Sequence, residues 1–245
     1  MKTVLITGCN KGLGFKLLER FSEEGYDVIA LNRKQYDEFD KNCNIIKKRF
    51  GNEIIVLYAD FTDKTTIQAA VRKISEIGNP IDVLVNNAGI SIIKPIFNVE
   101  YEDLEKTFET NYFSMVMVTK AVVEKMVRQE GGGSIVNVSS MVSLGQQPGG
   151  TCYDASKAAM NQFTKALSQE LAGFNIRVNA VAAAPMNTEM FKNLTEKTKK
   201  HSTKAIALKR PAEIDEVANA VLFLVSEKAS FITGDILRVD GGAIV

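Results

Sequence analysis

The stretch Thr7-Gly8-Cys9-Asn10-Lys11-Gly12-Leu13-Gly14 decides the fold. It follows the apolar, β-branched run Thr3 to Thr7, which is typical of a buried strand, and it opens a segment whose apolar residues have helical spacing. Gly8 allows a tight reversal of the chain, Gly12 lets the backbone approach a pyrophosphate, and Gly14 permits close packing of the helix on the strand. The helix start adds unpaired N–H groups and a positive dipole end. This order of elements predicts a dinucleotide-binding site.

Short apolar runs alternate with helical segments along the whole chain. The runs are continuously apolar, as expected for parallel strands that are covered by helices on both faces. No linker, repeat or low-complexity tract divides the sequence, so we expect one domain over residues 1–245, with an α/β, Rossmann-type doubly wound sheet of seven mostly parallel strands. The predicted strands are Thr3 to Thr7, Val28 to Leu31, Ile54 to Tyr58, Val83 to Val85, Ile135 to Val138, Ile176 to Val181 and Ile236 to Val239, and the predicted helices lie near 12–24, 35–50, 63–77, 101–129, 152–172 and 213–226.

Composition excludes several classes of protein. A hydrophobic content of 45% and a charged content of 24% exclude a disordered or fibrous chain. Thirty basic and twenty-nine acidic residues leave a net charge of +1, so no global field favours nucleic acid or an anionic membrane as a partner. No apolar run approaches the roughly 18 residues of a membrane span, and no secretory leader is evident. The cysteines Cys9, Cys43 and Cys152 have no metal-binding spacing, and we expect a cytoplasmic protein without a metal site.

The segment from Met186 to Arg210 fits no strand and is predicted to be a lid over the site, at about residues 186–210. From residue 192 onward it has seven cations against one acid, Glu196. The only histidine, His201, lies in this segment without a partner at catalytic spacing, so we expect it to be solvated. The seven cations are Lys192, Lys197, Lys199, Lys200, Lys204, Lys209 and Arg210.

The end of the second predicted strand bears on the choice of cofactor. An enzyme that uses NAD places a carboxylate there to bind the ribose 2′-hydroxyl, but this chain has Asn32 and Arg33. Arg33, through its planar fork, and Lys11, as a point charge, are suited to a 2′-phosphate. This pattern favours NADP(H). The alternative is that both cations are solvated surface residues.

Tyr153 and Lys157 lie one helical turn apart on the same face of a predicted helix. A free tyrosine has a pKa of about 10, and a neighbouring cation stabilises the phenolate, so we expect proton exchange closer to neutral pH. Tyr153 is then a candidate general acid when a carbonyl is reduced, or general base in the reverse oxidation.

The spacing Gly-x-x-x-Gly-x-Gly after Thr7 resembles the short-chain dehydrogenase/reductase family, and further matches follow in order along the chain. Asp60 resembles the family's adenine-contacting aspartate, and Asn86-Asn87-Ala88-Gly89 resembles its sheet-stabilising and cofactor-wall motif. Met186 and Thr188 lie in the stretch that holds the nicotinamide carboxamide. The cofactor-binding set that the resemblance implies is Gly8, Asn10, Lys11, Gly12, Leu13, Gly14, Asn32, Arg33, Asp60, Phe61, Asn87, Ala88, Gly89, Tyr153, Lys157, Met186 and Thr188.

The family's catalytic tetrad is matched by Ser140, Tyr153, Lys157 and Asn111. The resemblance implies that Ser140 donates a hydrogen bond to the substrate oxygen. It implies that Lys157 holds the nicotinamide ribose and tunes Tyr153, and that Asn111 anchors a water leading protons to Lys157. Ser139 is the alternative serine, although strand alternation turns it away from the site if Ser140 faces it.

The ending Ile232 to Gly242 and the length are most similar to the 3-oxoacyl-[acyl carrier protein] reductases of this family. Those enzymes reduce a 3-oxoacyl thioester with NADPH, usually as homotetramers. The resemblance therefore implies that helices near 101–129 and 152–172 pair across subunits. We expect their apolar residues Met115, Val118, Val122, Phe163 and Leu167 to contribute to that contact.

The chain departs from the family pattern at two places. Ala183-Ala184 replaces the usual Pro-Gly, which would cost on the order of 1 kcal/mol if the glycine position has positive φ. Phe174 stands where members that bind a carrier protein have a basic residue, so the basic lid becomes the candidate surface for an acidic acyl carrier protein. Two other functions stay open: a dehydrogenase or reductase of a free small ketone, sugar or steroid alcohol, and a non-catalytic dinucleotide-binding regulator.

Overall fold

Seven parallel strands form one sheet in the order β3-β2-β1-β4-β5-β6-β7. The computed structural model describes residues 1–193 and 195–244, without the side chains of residues 190, 197, 198 and 201. The sheet confirms the predicted doubly wound α/β fold. Its order reverses at β1 and β4, and ligands bind in the crevice at the carboxyl ends of strands at such a point. The strands are β1 Thr3–Thr7, β2 Asp27–Asn32, β3 Ile54–Tyr58, β4 Val83–Asn86, β5 Gly133–Ser140, β6 Ile176–Ala183 and β7 Ile236–Val239.

Helices cover both faces of the sheet, and the strands alternate between two cores. In β1, Val4 and Ile6 pack with helices α1, α2 and α9, whereas Leu5 packs with α3 and α5 on the opposite face. This two-sided burial explains why the strands are continuously apolar. The helices are α1 Gly12–Glu23, α2 Asp37–Phe50, α3 Lys64–Glu76, α4 Tyr101–Phe108, α5 Ser114–Met126, α6 Thr151–Leu171, α7 Glu189–Lys192, α8 Glu196–Thr203 and α9 Ile214–Val225.

The helix predicted over 101–129 is interrupted in the structure. A π-helical segment, Glu109–Phe113, separates α4 from α5, and the Ser114 N–H donates to the carbonyl of Glu109. The wider turn includes Asn111, which is fully buried and bonded to another loop. Such π-helical turns occur often at functional sites, and apolar spacing gives no signal for them.

Three residues predicted to contact another subunit belong to the interior of this chain. Met115, Val118 and Val122 are buried, and the two valines pack in the core under α3 and α5. The prediction was wrong for them because helical spacing marks an apolar face without distinguishing a core from an interface. Phe163 and Leu167 are half-buried.

The predicted lid consists of two short helices, α7 and α8, between β6 and α9. A bridge between Met186 and Ala212 joins the two ends of this segment at its base. The side chains of Lys197 and His201, which we assigned to the lid, lie outside what the structure describes. In the described part of the chain, no helix has the length and apolar character of a membrane span.

Ala184 carries none of the backbone strain that we considered. Among the described residues, only Asn175 and Lys209 combine a side chain with positive φ. Ala183 ends β6, and the buried Ala184 donates its N–H to the carbonyl of Val239 at 3.0 Å. The loop therefore has a conformation that alanine adopts without cost, and the conditional penalty does not arise.

Candidate active site

The glycine-rich loop is locked against the residues that follow β4. The Asn87 side-chain amide donates to the carbonyls of Thr7 and Gly8 at 2.9 and 3.0 Å. The Thr7 hydroxyl accepts the backbone N–H groups of Asn87 and Ala88 at 3.0 and 2.9 Å. A side chain on Gly14 would collide with the Gly8 carbonyl, so the close approach of helix and loop requires glycine there. The structure thus brings two predicted cofactor motifs together.

Asn32 orders this loop from the end of β2. Its side chain is buried, and its Oδ1 accepts the N–H of Cys9 at 2.7 Å. Its Nδ2 is also buried and has no hydrogen-bond partner among the described residues. A buried donor without a partner is costly, so this atom is a position where a bound group would be favourable.

The predicted 2′-phosphate and adenine residues lie around the same edge of the sheet. Arg33 and Lys11 are exposed. The Asp60 carboxylate accepts the N–H and the hydroxyl of Thr62 at 3.0 and 2.8 Å. Those bonds, and more weakly the charge of Arg33, lower the pKa of Asp60. Arg33 is therefore near Asp60, as one adenosine site with both groups requires. Phe61 is buried, and its carbonyl accepts the Ser114 hydroxyl.

Ser140 and Tyr153 meet at the carboxyl end of β5. Ser140 is the last residue of β5, and Tyr153 lies in the first turn of α6. A hydrogen bond from Ser140 lowers the pKa of Tyr153, but burial, the larger effect, raises that pKa. Our expectation that Lys157 brings the Tyr153 pKa toward neutrality is therefore wrong for this structure, in which desolvation decides its direction. Ser139 is buried, and its hydroxyl contacts Ser143.

Lys157 is buried, one helical turn after Tyr153 on α6. Its ammonium donates to the carbonyl of Val138 at 2.8 Å. Burial lowers the pKa of Lys157 to about 8. A Cβ on Gly89 would lie 3.4 Å from the Lys157 ammonium and 3.2 Å from Asn111 Oδ1, so Gly89 is where these two residues converge.

The Asn111 side chain holds the loop that follows β4. Its Nδ2 donates to the Ile90 carbonyl and to the Ser156 hydroxyl, both at 2.9 Å, and its Oδ1 accepts the Ile90 N–H at 2.8 Å. Ser156 in turn donates to the Tyr153 carbonyl at 2.7 Å. Sequence reasoning missed Ser156, although its place between Tyr153 and Lys157 on one buried helical face was a usable signal.

Comparisons with known proteins agree with this arrangement. A family model described as "Enoyl-(Acyl carrier protein) reductase" matches residues 8–243. The 3-oxoacyl-[acyl-carrier-protein] reductase FabG of Thermotoga maritima is 37% identical over 246 residues, covering 100% of this chain and 98% of that protein. The chain belongs to the short-chain dehydrogenase/reductase family. It is an oxidoreductase of the type that acts on alcohol or ketone groups.

Other members of this family show how broad the similarity is. A 3alpha-hydroxysteroid dehydrogenase of Mediterraneibacter gnavus is 37% identical over 243 residues, covering 99% of this chain and 96% of that protein. L-sorbose reductase from Gluconobacter frateurii, solved in complex with NADPH and L-sorbose, has a TM-score of 0.91 at 27% identity, covering 99% and 96% of the two chains. Family membership therefore indicates a nicotinamide dinucleotide cofactor and leaves the substrate undetermined.

The residues present fit such a cofactor. The Gly8 turn packs so closely on the residues after β4 that a Cβ on Gly8 would come within 3.0 Å of Ala88, and the orphaned Nδ2 of Asn32 offers a donor beside it. The lid reaches this loop, since the Thr188 methyl lies 3.7 Å from where a Cβ of Gly12 would be. Leu13 is buried beneath the loop, whereas Asn10 is half-buried beside it. The loop, the wall after β4 and the first lid residues thus surround one elongated site.

Proposed function

We propose that this protein is an NADPH-dependent carbonyl reductase that converts a 3-oxoacyl thioester to the 3-hydroxyacyl form. The observation that carries the proposal is the meeting of the Ser140 and Tyr153 hydroxyls at the end of β5, with Lys157 buried one helical turn after Tyr153. Two hydroxyl groups on one side of a cleft are suited to bind and protonate one carbonyl oxygen.

The roles of the side chains follow from their positions. Ser140 donates a hydrogen bond to the substrate carbonyl, and Tyr153 gives its proton to the same oxygen. The reduced nicotinamide, when bound, supplies the hydride. Lys157 holds the ribose hydroxyls, one helical turn after Tyr153 on α6. Asn111 fixes the wall at Gly89 and Ile90 through its bonds to Ile90, and its water-anchoring role stays a prediction.

The cofactor contacts are assigned to five groups of residues, one for each part of the dinucleotide. Arg33 and Lys11 pair with the 2′-phosphate, which gives the preference for NADP(H) over NAD(H). Asp60 binds the adenine, and Asn87, Ala88 and Gly89 form the wall beside the ribose. Met186 and Thr188 hold the carboxamide, which couples the lid to cofactor binding. The pyrophosphate lies along Gly8, Asn10, Gly12, Leu13 and Gly14.

An acyl carrier protein is the proposed source of the thioester. Support comes from the full-length similarity to the Thermotoga maritima reductase and from the basic lid. Three of the lid cations are engaged: Lys192 with Glu189, Lys199 with Glu196 and Arg210 with Glu216. Lys200, Lys204 and Lys209 are exposed and contribute to the positive charge of the lid.

A free hydrophobic ketone or alcohol is the second candidate substrate. The full-length similarity to a hydroxysteroid dehydrogenase supports it. So do Ile93, Ile96 and Phe97, which are exposed apolar residues on the loop after β4. A polar sugar fits these side chains less well. A non-catalytic regulator is disfavoured because all four tetrad positions are kept.

We also infer a homotetramer. The residues that support it differ from those expected from the sequence: Tyr101, Leu104, Phe113 and Met117 are exposed apolar residues along α4, the π-helical segment and α5. Exposed apolar side chains at helical spacing favour contact with a second copy.

The test follows NADPH absorbance with acetoacetyl thioester, a steroid ketone and a cyclic ketone as separate substrates. Reduction of the thioester alone supports the first proposal, and reduction of only the free ketones supports the second. Tyr153→Phe is expected to abolish turnover and to leave NADPH binding within about twofold, because it removes only the transferred proton. Tight NADPH binding without turnover of any ketone would instead favour a regulator.

A further inference from the structure

The segment 141–152 joins the two hydroxyl-bearing residues of the site. It begins directly after Ser140 and ends directly before Tyr153. Its middle contains Gly145, Gly149 and Gly150, and glycine gives a chain large conformational freedom. A fixed separation of the two hydroxyls therefore requires contacts that hold this segment from outside.

Asp154 supplies such contacts from the first turn of α6. Its carboxylate accepts the Gln147 backbone N–H at 3.1 Å and the Gln147 side-chain amide at 2.9 Å. Its own N–H donates to the Gly150 carbonyl at 2.7 Å. A Cβ on Gly150 would overlap the Asp154 carboxylate, so the carboxylate lies directly against that glycine. One side chain thus fixes the segment at Gln147 and against Gly150.

A second attachment holds the other edge of the segment. The Lys94 N–H donates to the Gly149 carbonyl at 2.9 Å. The Lys94 ammonium pairs with both Asp103 oxygens at 2.8 and 2.7 Å, which ties the loop after β4 to α4. The two loops that flank Ser140 and Tyr153 are therefore connected through this one backbone bond.

Helix-dipole stabilisation alone does not account for Asp154. An acidic side chain in the first turn stabilises a helix through the helix dipole, and it does so even when its carboxylate is fully solvated. This carboxylate is turned back toward Gln147 and is half-buried, and desolvation raises the pKa of Asp154 while the Gln147 donors lower it. The cost of burial is offset by bonds whose partner lies in the loop.

We propose that Asp154 is a positioning residue that holds the loop 145–150 over the reaction site and so sets the affinity for the carbonyl substrate. This rests on the proposed reductase function. Exposed Leu144 stands between Ser140 and this loop, so a displaced loop changes the wall that a substrate meets next to the catalytic serine. The glycine-rich turn that faces the cofactor contains none of these contacts.

The test compares Asp154→Ala and Gly150→Ala with the control Glu170→Ala, which removes an exposed carboxylate from the same helix. We expect the first two variants to raise the KM for the ketone about tenfold, to leave the dissociation constant for NADPH within twofold and to speed amide exchange in residues 145–150. Glu170→Ala should change none of the three. An unchanged ketone KM, or an equal loss of NADPH affinity, would overturn the proposal.

A double-mutant cycle and the wild-type protein complete the test. Gln147→Ala should raise the KM less than Asp154→Ala does. The double variant should have the same KM as Asp154→Ala, because the side-chain contact that Gln147→Ala removes is also removed by Asp154→Ala. Gly150→Ala and Gln147→Ala decide the matter if Asp154→Ala does not fold. A wild-type protein that reduces no ketone would count against the reductase function. In that case the amide exchange of residues 145–150 tests the proposal. Faster exchange in Asp154→Ala than in the wild-type protein would support it, and an unchanged exchange rate would overturn it.

Discussion

The buried ammonium of Lys157 donates a hydrogen bond to the carbonyl oxygen of Val138 across 2.8 Å. The bond joins α6 to β5, the two elements that carry Tyr153 and Ser140. Desolvation lowers the pKa of this lysine to about 8, so at neutral pH the fold retains a buried charge that it would be more stable without. The site therefore keeps a cation at a cost in stability.

This cost has a definite pH dependence. The pKa of Lys157 is lower in the folded protein than in the unfolded chain, so the unfolded chain binds more protons between about pH 8 and pH 10. The stability penalty from Lys157 is therefore complete below about pH 8 and decreases as the pH rises through this range. We expect the free energy of unfolding of Lys157→Met, relative to wild type, to fall by about 2 kcal/mol from pH 7 to pH 10. Urea unfolding at each pH measures it.

The matched control is Lys165→Met, which removes an exposed lysine from the same helix. If both variants keep a constant difference from wild type across this range, the buried charge at Lys157 is not the cause. Turnover by Lys157→Met should be lost at every pH, because the variant removes the proposed ammonium contact with the ribose hydroxyls.

Local sequence patterns were sufficient for most of the fold. All seven predicted strands are present as short apolar runs. The five inner strands are buried on both faces, as a covered parallel sheet requires, whereas the edge strands β3 and β7 are partly exposed. The turn between β1 and α1 was predictable because part of what requires its glycines is local: Gly8 and Gly12 have positive φ, and Gly14 lies against the Gly8 carbonyl.

Features that depend on packing between distant segments could not be predicted. The π-helical turn contains Asn111, whose side chain bonds to Ile90 and Ser156, which are 21 and 45 residues away in the sequence. The raised pKa of Tyr153 reflects burial, which the spacing to Lys157 does not report. The bond from the Cys9 N–H to Asn32 joins the glycine-rich loop to the end of β2, so Asn32, a predicted cofactor-binding residue, also supports that loop.

The choice of the catalytic serine can be tested with two adjacent residues. Ser140→Ala removes the hydroxyl that bonds to Tyr153, and we expect kcat to fall about 100-fold or more, as for loss of one donor to a developing oxyanion. Ser139→Ala removes a buried hydroxyl that contacts Ser143, so it should cost about 1 kcal/mol of stability and little activity. Steady-state kinetics and thermal unfolding measure both. A larger kcat loss in Ser139→Ala would reverse the assignment.

The cofactor preference is tested at the end of β2. Arg33→Ala should raise the dissociation constant for NADPH about 10- to 100-fold, because a charge-assisted contact with the 2′-phosphate contributes about 1.5–3 kcal/mol. The dissociation constant for NADH should stay within about twofold. Lys34→Ala is the control, since Lys34 is an exposed cation next in sequence whose ammonium lies over Tyr36 instead. Equal losses for both dinucleotides would refute an Arg33 contact with the phosphate.

The lid prediction concerns an acyl carrier protein and uses Lys200 and Lys204, which are exposed. Lys199 is one of the seven lid cations in the sequence and a candidate for charge reversal, but its ammonium is paired with Glu196 at 2.9 Å. We therefore expect Lys200→Glu with Lys204→Glu to raise the KM for a carrier-linked substrate at least tenfold, and to leave the KM for a small β-ketoester unchanged. Charge reversal acts only where an acidic partner approaches the lid.

Salt and a distant charge reversal separate this effect from a general one. Added salt should raise the wild-type KM for the carrier-linked substrate toward that of the double variant, because exposed charges are screened within about 10 Å at 0.1 M salt. Lys41→Glu with Lys48→Glu changes the net charge equally on the exposed side of α2 and should leave both KM values unchanged. Equal effects of the lid variant on both substrates would mean that the lid acts on turnover in general and does not recruit a carrier protein.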